Sequence, residues 1–236
     1  MAGHVRFLAP SGRVATGELR DGRVVASEGT FDQASVRLLP PAEPTKVVGA
    51  AGTYVEMLDD PDDPPARPML FSKPPSAVAG PGSRVTLPTD DILFEGELAV
   101  VVGERCRNLT PEAAMDVVAG YTAADDLTND AGDDTFRRKA FDGACPLGPA
   151  VVAPEDVPDD AAITTRVNGE VRQSSSLSNL VFSVPEILAE VTQYATLEPG
   201  DVVLTGTTSG RGPLEDGDRV EVEIEGVGTL SHAVRL

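Results

Sequence analysis

The stretch that decides the fold is residues 92–102, which read Ile92-Leu93-Phe94-Glu95-Gly96-Glu97-Leu98-Ala99-Val100-Val101-Val102. Its second half is a run of aliphatic, mostly β-branched residues, and such a run predicts a buried strand. Side chains two positions apart share one face of a strand, so Glu95 and Glu97 are expected to project together.

Two carboxylates at the head of an apolar strand repel each other, and burial raises the pKa of at least one of them unless a cation neutralises the pair. A hard divalent ion such as Mg²⁺ or Mn²⁺ prefers carboxylate oxygens and would supply that cation. A solvated strand end is the other interpretation of Glu-x-Glu, and the two residues by themselves leave both open.

Outward from this stretch, the chain reads as strands with two helices. Thr110 is a candidate cap for a helix that begins at Pro111 and ends near Gly120. Ser183 and Glu186 form a capping box ahead of a second helix. Apolar runs predict strands at residues 98–102, 150–152, 163–167, 202–204 and 220–224. Many strands with few helices predict a β-rich α+β fold and not a doubly wound one.

The first part of the chain differs from the rest in its pattern. Residues 4–39 read as short strands separated by turns at Ser11-Gly12, Asp21-Gly22 and Glu28-Gly29, the spacing of a small antiparallel meander. Prolines at 40, 41 and 44 then interrupt regular structure. We therefore expect a small N-terminal β domain in residues 1–45 and a larger domain in residues 46–236.

Charge and composition narrow the function. The 236 residues include 38 Asp and Glu against 19 Lys and Arg, a net charge of −19, which disfavours nucleic-acid and membrane-surface binding. Only Lys46, Lys73 and Lys139 are lysines, and acid-rich, lysine-poor composition is tolerated in a salt-rich, halophilic cytoplasm. Two distant cysteines and an N-terminus without an apolar signal core predict a reducing, cytoplasmic location.

Several short blocks follow one another in a specific order. They are Phe71-Ser72-Lys73-Pro74-Pro75-Ser76, Phe94-Glu95-Gly96-Glu97-Leu98-Ala99-Val100-Val101, Val118-Ala119-Gly120-Tyr121-Thr122 with Asp126, Lys139-Ala140-Phe141-Asp142, Cys145-Pro146-Leu147-Gly148-Pro149, Val167-Asn168-Gly169-Glu170-Val171-Arg172-Gln173, Leu197-Glu198-Pro199-Gly200-Asp201-Val202 and Thr205-Gly206-Thr207. From about Lys46 to Leu236 this order resembles the fumarylacetoacetate hydrolase family.

The resemblance implies a rolled mixed β-sheet catalytic domain, a small N-terminal β domain and a homodimer. It implies Mg²⁺ or Mn²⁺ held by Glu95, Glu97 and Asp126, where Asp126 is preferred to Asp125 because the family ligand lies six residues beyond the glycine that matches Gly120.

The resemblance also implies roles on the substrate side. Lys139 matches the family lysine that faces the substrate, and Thr207 of the Thr-Gly-Thr turn, with Gly206, matches the contact to the substrate carboxylate. Gln173 matches a retained substrate-side position, for which a structural surface pair with Arg172 is the alternative. The implied substrate is a small-molecule 2-oxo or 1,3-dioxo acid, such as an acylpyruvate, oxaloacetate or a ring-fission diacid.

The sequence departs from the family in the segment that supplies a water-activating His–Glu pair. Glu56 matches the glutamate if the alignment is shortened slightly, but no histidine stands nearby, because the chain's two histidines are His4 and His232. Tyr54 could take the histidine's place as a donor or be plain packing. Where relatives carry a substrate-binding Arg and a Gln, this chain has Asp130 and Asp133, so a cation for the substrate carboxylate is not expected.

The glycine-rich segment 206–212 lacks the Gly-Lys-Ser/Thr ending of a phosphate loop, which excludes nucleotide binding. Three hypotheses remain. The first is a metal-dependent enzyme that acts through a metal-stabilised enolate, with C–C hydrolysis, decarboxylation, isomerisation and hydration left open. The second is a non-catalytic paralogue that keeps the fold and metal site as a binding or partner subunit. The third is salt adaptation alone, which predicts that Glu95, Glu97 and Asp126 do not converge.

Overall fold

The computed structural model describes residues 2–236. Its strands are β1 (Ala2–Leu8), β2 (Val14–Arg20), β3 (Arg23–Ala26), β4 (Gly29–Asp32), β5 (Arg37–Leu39), β6 (Val47–Ala51), β7 (Met69–Lys73), β8 (Val78–Ala79), β9 (Arg84–Thr86), β10 (Ile92–Phe94), β11 (Gly96–Val102), β12 (Val118–Asp125), β13 (Thr128–Asn129), β14 (Cys145–Val152), β15 (Ala162–Val167), β16 (Glu170–Ser176), β17 (Val202–Thr207), β18 (Gly212–Pro213), β19 (Arg219–Ile224) and β20 (Gly228–Arg235). The helices are α1 (Pro111–Ala114), α2 (Thr135–Lys139) and α3 (Val184–Tyr194).

The strands form mixed sheets. The largest has the order β4-β3-β2-β1-β14-β12-β11-β17-β6-β7, with β5 added beside β1 and β8 beside β14. A second sheet has the order β13-β10-β18 and a third the order β16-β15-β19-β20-β9. Most pairs are antiparallel, while β17–β6, β14–β8 and β20–β9 are parallel. The β-rich α+β prediction is therefore confirmed.

The central strand β11 is buried along its whole length, as the aliphatic run predicts. Alternate residues of β11 enter two cores: Ala99 and Val101 pack in the core shared with the third sheet, and Val100 and Val102 pack against α3. Burying one aliphatic side chain of this size contributes about 1.5–3 kcal/mol. Packing on both faces thus fixes β11, the strand that follows Glu95 and contains Glu97.

The second predicted helix is confirmed, including its cap. The Ser183 N–H donates to the Glu186 carboxylate at 2.7 Å, and the Glu186 N–H donates back to the Ser183 hydroxyl at 3.4 Å. The first predicted helix is too long by more than a turn. It begins at Pro111 as expected, but α1 ends at Ala114, and β12 already begins at Val118. Pairing with β11 outweighs the local helical pattern there.

The N-terminal meander is present as β1 to β4, which pair antiparallel in sequence. These strands have their own small core around Val5, Phe7 and Val24, and they continue the largest sheet where His4 of β1 lies opposite Val151 of β14. The division into domains 1–45 and 46–236 stays a prediction.

The turn before β17 is organised by one buried carboxylate, Asp201. Its oxygens accept the N–H groups of Thr45 at 2.8 Å, Lys46 at 3.1 Å and Glu198 at 2.8 Å, and Lys46 Nζ forms an ion pair with it. Asp201 therefore joins the start of β6 to the start of β17. None of the helices described for residues 2–236 has the length and apolar character needed to span a bilayer.

Candidate active site

Three carboxylates converge at one end of the central strands. β11 pairs with β12 so that Glu97 lies opposite Ala124, which places Asp126 just beyond the strand and next to Glu95. The Asp126 N–H donates to the Glu95 carbonyl at 2.8 Å. One oxygen from each of Glu95, Glu97 and Asp126 lies within 4.8 Å of the others, and all three side chains are buried. This convergence contradicts salt adaptation as the explanation of these residues.

Glu95 and Glu97 meet by a different route from the one the sequence suggests. Glu95 lies between β10 and β11 and is not part of one continuous strand. Its N–H donates to Asp125 at 2.8 Å, and the other Asp125 oxygen lies 2.8 Å from His232 Nε2. Asp125 therefore holds the backbone of Glu95, while the neighbouring Asp126 faces the other two carboxylates.

Two lysines neutralise part of this cluster. Lys139, at the end of α2, places Nζ 2.9 Å from Glu95 Oε2 and in contact with Asp126 Oδ2, with the Phe71 ring centroid 4.4 Å away. Lys73, at the end of β7, is fully buried and places Nζ 2.5 Å from Asp126 Oδ1. The Lys73 ammonium also donates to the Leu127 carbonyl at 3.0 Å. Asp126 is thus bound by two ammonium groups.

The carboxylates differ in how well they are compensated. Burial would raise the pKa of Asp126, but Lys73 and Lys139 outweigh it and hold that pKa below its usual range. Glu97 has no cation within ion-pair distance among the described residues, and its Oε2 accepts only the Gly206 N–H, at 2.7 Å. Burial, and then the charge of Asp126, raise the pKa of Glu97 well above its usual value. Glu97 is the carboxylate that most needs a further cation.

A third cation and a hydroxyl complete the Glu95 environment. Arg211 Nη1 lies 2.5 Å from Glu95 Oε1, and the Thr128 hydroxyl donates to Glu95 Oε2 at 2.9 Å. Lys139 Nζ also donates to Thr128 Oγ1 at 2.6 Å. Both oxygens of Glu95 are therefore held in fixed directions, which orients the carboxylate toward its two neighbours.

The Thr-Gly-Thr turn closes the site from the side of β17. Gly206 has φ +96°, and a Cβ there would lie 1.9 Å from the Thr53 hydroxyl, so only glycine fits where its N–H meets Glu97. The Thr207 hydroxyl donates to the Gly96 carbonyl at 3.0 Å and accepts from Gln173 Nε2 at 2.8 Å. Gln173 is buried and accepts the Gly96 N–H at 3.0 Å, so it braces the turn.

A cavity of about 390 Å³ opens onto these groups. Six predicted site residues line it, namely Glu95, Glu97, Asp126, Lys139, Gly206 and Thr207. Three others do not: Gln173, which braces the turn, Tyr54, which is fully buried, and Glu56, which is exposed and accepts from Ser175 at 2.6 Å and Asn179 at 2.8 Å.

Tyr54 lies behind the cavity with its hydroxyl buried and without a hydrogen-bond partner among the described residues. Burial, followed by the charges of Glu97 and Glu56, raises the pKa of Tyr54 above its usual value, so the phenol stays protonated. Neither histidine lines the cavity; His232 is bound to Asp125 and His4 lies on β1.

The donor set fits a hard divalent cation. Three buried carboxylate oxygens within 4.8 Å of one another are ligands that Mg²⁺ and Mn²⁺ accept, and Glu97 is a buried carboxylate that lacks a cation. The site therefore supports divalent metal binding through Glu95, Glu97 and Asp126.

Sequence reasoning did not assign a role to four further residues of the site: Lys73, Thr128, Arg138 and Arg211. Lys73 offers a signal in retrospect, because it is one of three lysines and ends a strand that is otherwise short of charge. Arg211 lies in the glycine-rich segment 206–212, whose sequence pattern bears only on the phosphate-loop question. Contacts between residues this distant in sequence leave no local pattern.

Comparison with known proteins gives a family match and relatives that are named as enzymes. A family model described as "Fumarylacetoacetate (FAA) hydrolase C-terminal" matches residues 46–235. The human mitochondrial oxaloacetate tautomerase FAHD2B is 40% identical over 226 residues, which cover 88% of this chain and 70% of that protein.

Two solved structures extend the comparison. The 2-hydroxyhepta-2,4-diene-1,7-dioate isomerase from Mycobacterium marinum has a TM-score of 0.90 at 33% identity and covers 100% of this chain and 98% of its own. The maleylpyruvate hydrolase from Sphingobium sp. SYK-6, in complex with manganese(II) ion and pyruvate, has a TM-score of 0.85 at 27% identity, covering 100% of this chain and 99% of its own.

Proposed function

The chain belongs to the fumarylacetoacetate hydrolase family, and on that premise we propose that it is a metal-dependent isomerase that interconverts keto and enol forms of a small 2-oxo acid. One observation carries the proposal. The carboxylate cluster and the Lys139 ammonium face one cavity, and no histidine or unpaired carboxylate outside the cluster lines that cavity among residues 2–236. These residues can stabilise the negative charge of an enolate, but they include no base that would activate an attacking water.

Glu95, Glu97 and Asp126 would hold Mg²⁺ or Mn²⁺. When bound, such an ion acts as a Lewis acid that stabilises negative charge developing on a substrate oxygen. The manganese and pyruvate bound to the related maleylpyruvate hydrolase support this assignment of ion and ligand class.

Lys139 enters the reaction as a charged ammonium. Burial would lower the pKa of its ammonium, but Asp126 and Glu95 outweigh burial and raise that pKa above its ordinary value. The charged Nζ can donate a hydrogen bond to an enolate oxygen. In ketonisation it passes a proton to the enolate carbon and is reprotonated from solvent, which takes up the proton of the enol hydroxyl, and enolisation runs through the same groups in reverse. Phe71 and Thr128 fix the direction of this group.

The position of Glu56 supports isomerisation over hydrolysis. A general base must lie within hydrogen-bond reach of the water that it activates. Glu56 is held outside the cavity by Ser175 and Asn179, and Tyr54, which stands near the missing histidine, keeps its proton. Neither residue is placed to generate a hydroxide near the carboxylate cluster.

The test measures the rate of enol-to-keto conversion of oxaloacetate from the decrease in enol absorbance. The rate with added Mg²⁺ or Mn²⁺ is compared with the rate after the metal has been chelated. We expect metal-dependent acceleration that falls about 100-fold or more in Lys139→Gln, the scale of a lost acid–base group. Lys46→Gln, which changes a lysine outside the cavity, and Glu56→Gln should each stay within about twofold of wild type.

Two results would contradict the proposal. Unchanged activity in Lys139→Gln would remove the assigned donor. Metal binding without turnover of oxaloacetate, acylpyruvates or unsaturated diacids would favour the non-catalytic paralogue instead. The homodimer, the choice between Mg²⁺ and Mn²⁺, the cytoplasmic location and the salt-rich source stay predictions, and sedimentation of the purified protein would test the first of them.

A further inference from the structure

Arg211 lies on a turn whose backbone is tightly fixed. The turn joins β17 to β18, and β18 pairs with β10 so that Gly212 lies opposite Phe94, the residue before Glu95. Gly210 has φ +96°, and a Cβ there would lie 2.1 Å from the Arg172 carbonyl, so the turn is pressed against β16. The Thr208 carbonyl of the same turn accepts from Gln173 Nε2 at 2.8 Å. Arg211 is therefore directed at the cavity by its backbone.

The guanidinium of Arg211 has unused donors. Among the described residues its only ion pair or hydrogen bond joins Nη1 to Glu95 Oε1, and the side chain is 39% exposed where it lines the cavity. Arg138, the other arginine of the cavity, donates both to the Asp130 carbonyl at 3.2 Å and to its carboxylate at 2.9 Å. An arginine can present two parallel N–H groups to one carboxylate, and only Arg211 has them available.

The charges of the site also favour a ligand with two negative charges. The three cluster carboxylates are faced by three cations, Lys73, Lys139 and Arg211. A divalent ion added to this balanced set brings two uncompensated positive charges into a buried site, where charge imbalance is costly. A dicarboxylate ligand restores the balance, whereas a monocarboxylate leaves one positive charge over.

We propose that Arg211 binds the second carboxylate of a dicarboxylic 2-oxo acid and sets the preference of the site for dicarboxylates over monocarboxylates. This inference rests on the proposed function, because the first carboxylate and the keto oxygen must occupy the carboxylate-cluster end of the cavity. It differs from the expectation, drawn from Asp130 and Asp133, that the chain lacks a cation for a substrate carboxylate. The cation comes from a different segment.

The test uses two stable probes that differ only in the terminal carboxylate, 2-oxoglutarate and 2-oxopentanoate. Their binding to the full-length protein is measured calorimetrically in excess Mn²⁺, with Mn²⁺ omitted as a blank. We expect wild type to bind 2-oxoglutarate about tenfold or more tightly than 2-oxopentanoate, the scale of one charge-assisted pair. In Arg211→Gln the preference should fall below about twofold through loss of 2-oxoglutarate affinity alone.

Two further variants make the outcome specific. Arg138→Gln removes the other cavity arginine and should keep the preference, and Arg211→Lys keeps the charge without the fork and should retain part of it. Thermal unfolding and Mn²⁺ affinity of each variant show whether the fold and the carboxylate cluster survive.

The results separate this inference from the proposed function. If wild type binds both probes equally, or if Arg211→Gln and Arg211→Lys keep the full preference, Arg211 is not the determinant, and the isomerase proposal stands. Loss of preference in Arg138→Gln but not in Arg211→Gln overturns the assignment in favour of Arg138. If neither probe binds wild type in a Mn²⁺-dependent way, the proposed 2-oxo acid site itself is overturned, and this inference with it.

Discussion

The protein buries carboxylates in two places, which differ in the groups that compensate the buried charge. Asp201 is surrounded by N–H groups of its own turn and of the segment at Thr45 and Lys46, so backbone donors satisfy both of its oxygens. Glu97, in the cavity, accepts one backbone N–H, from Gly206, and has Glu95 and Asp126 as close neighbours. The first arrangement stabilises a fold by itself. The second leaves Glu97 without a cation in contact with it in the described part of the chain, although three cations bind its two neighbours.

This contrast distinguishes a structural carboxylate from a functional one. A carboxylate that satisfies local backbone donors needs no partner from outside, because its desolvation is already offset. Carboxylates from separate segments repel one another when they are brought together. This cluster persists because β11 and β12 are anchored by packing and because three cations bind Glu95 and Asp126. Asp201 and the Glu95–Glu97–Asp126 cluster should therefore respond differently to the same kinds of change.

The largest expected effect is on stability at Asp201. Asp201→Ala should lower the free energy of unfolding by about 3 kcal/mol, because three backbone N–H groups and a lysine lose a charged acceptor. Denaturant unfolding measures this, and Mn²⁺ affinity should stay within about twofold. Asp201→Asn keeps one acceptor oxygen and should lose about half as much. A loss below about 1 kcal/mol in Asp201→Ala would mean that the backbone donors find other partners.

The next effect is on ion binding at Glu97. Glu97→Gln should weaken Mn²⁺ binding about 100-fold, about 2.7 kcal/mol, while the metal-free protein keeps its stability or gains some, since a neutral amide relieves the crowding. Calorimetric titration and denaturant unfolding supply the two numbers. If Glu97→Gln destabilises the metal-free protein as much as Asp201→Ala does, the proposed difference between the clusters does not hold.

The smallest effect is on the pH dependence of stability, to which Asp201 and Glu97 should contribute with opposite signs. Burial would raise the pKa of Asp201, but the N–H of Glu198 and the other donors outweigh it and hold the pKa below its usual range. Asp201 therefore contributes stability that is present above the ordinary aspartate pKa and is lost as pH falls through the depressed value. Glu97 has a raised pKa, so its contribution decreases as pH rises from the ordinary glutamate value toward the raised one.

Both signs are checked by measuring the free energy of unfolding of the wild type as a function of pH and comparing it with that of Asp201→Asn and Glu97→Gln. Mn²⁺ must displace a proton from Glu97 wherever that carboxyl is protonated, so apparent Mn²⁺ affinity should rise with pH across the same interval. Titrations in two buffers of different ionisation enthalpy detect the released proton. Affinity that does not change with pH would show that Glu97 is already ionised.

The fold was largely predictable because its signals are local. The aliphatic run of β11 and the Ser183–Glu186 capping box each depend on residues a few positions apart, and both predictions were confirmed. α1 was predicted too long because strand pairing between β11 and β12, a contact between distant segments, decides where it ends. α2 was not predicted, since five residues are too few for a periodic pattern.

For the site, the sequence predicted which carboxylates to examine through the order of the blocks, and the structure brings them together. It could not indicate how they are compensated. Lys73 meets Asp126 and Arg211 meets Glu95 across separations of more than fifty residues, and such contacts depend on the whole sheet order. Glu56 and Gln173 matched the family pattern, yet both make contacts outside the cavity.

The positions of the three lysines limit how the protein reacts with amine-directed reagents. Lys73 is sealed inside the protein, Lys139 is reached only through the cavity, and Lys46, with 29% of its side chain exposed, is the most accessible of the three. An acylating reagent or an activated resin therefore finds almost no side-chain amines on the surface. Attachment to a support through lysine side chains will be sparse and centred on Lys46, whereas Lys139, held as a charged ammonium by Asp126 and Glu95, will not react with a small electrophile at neutral pH.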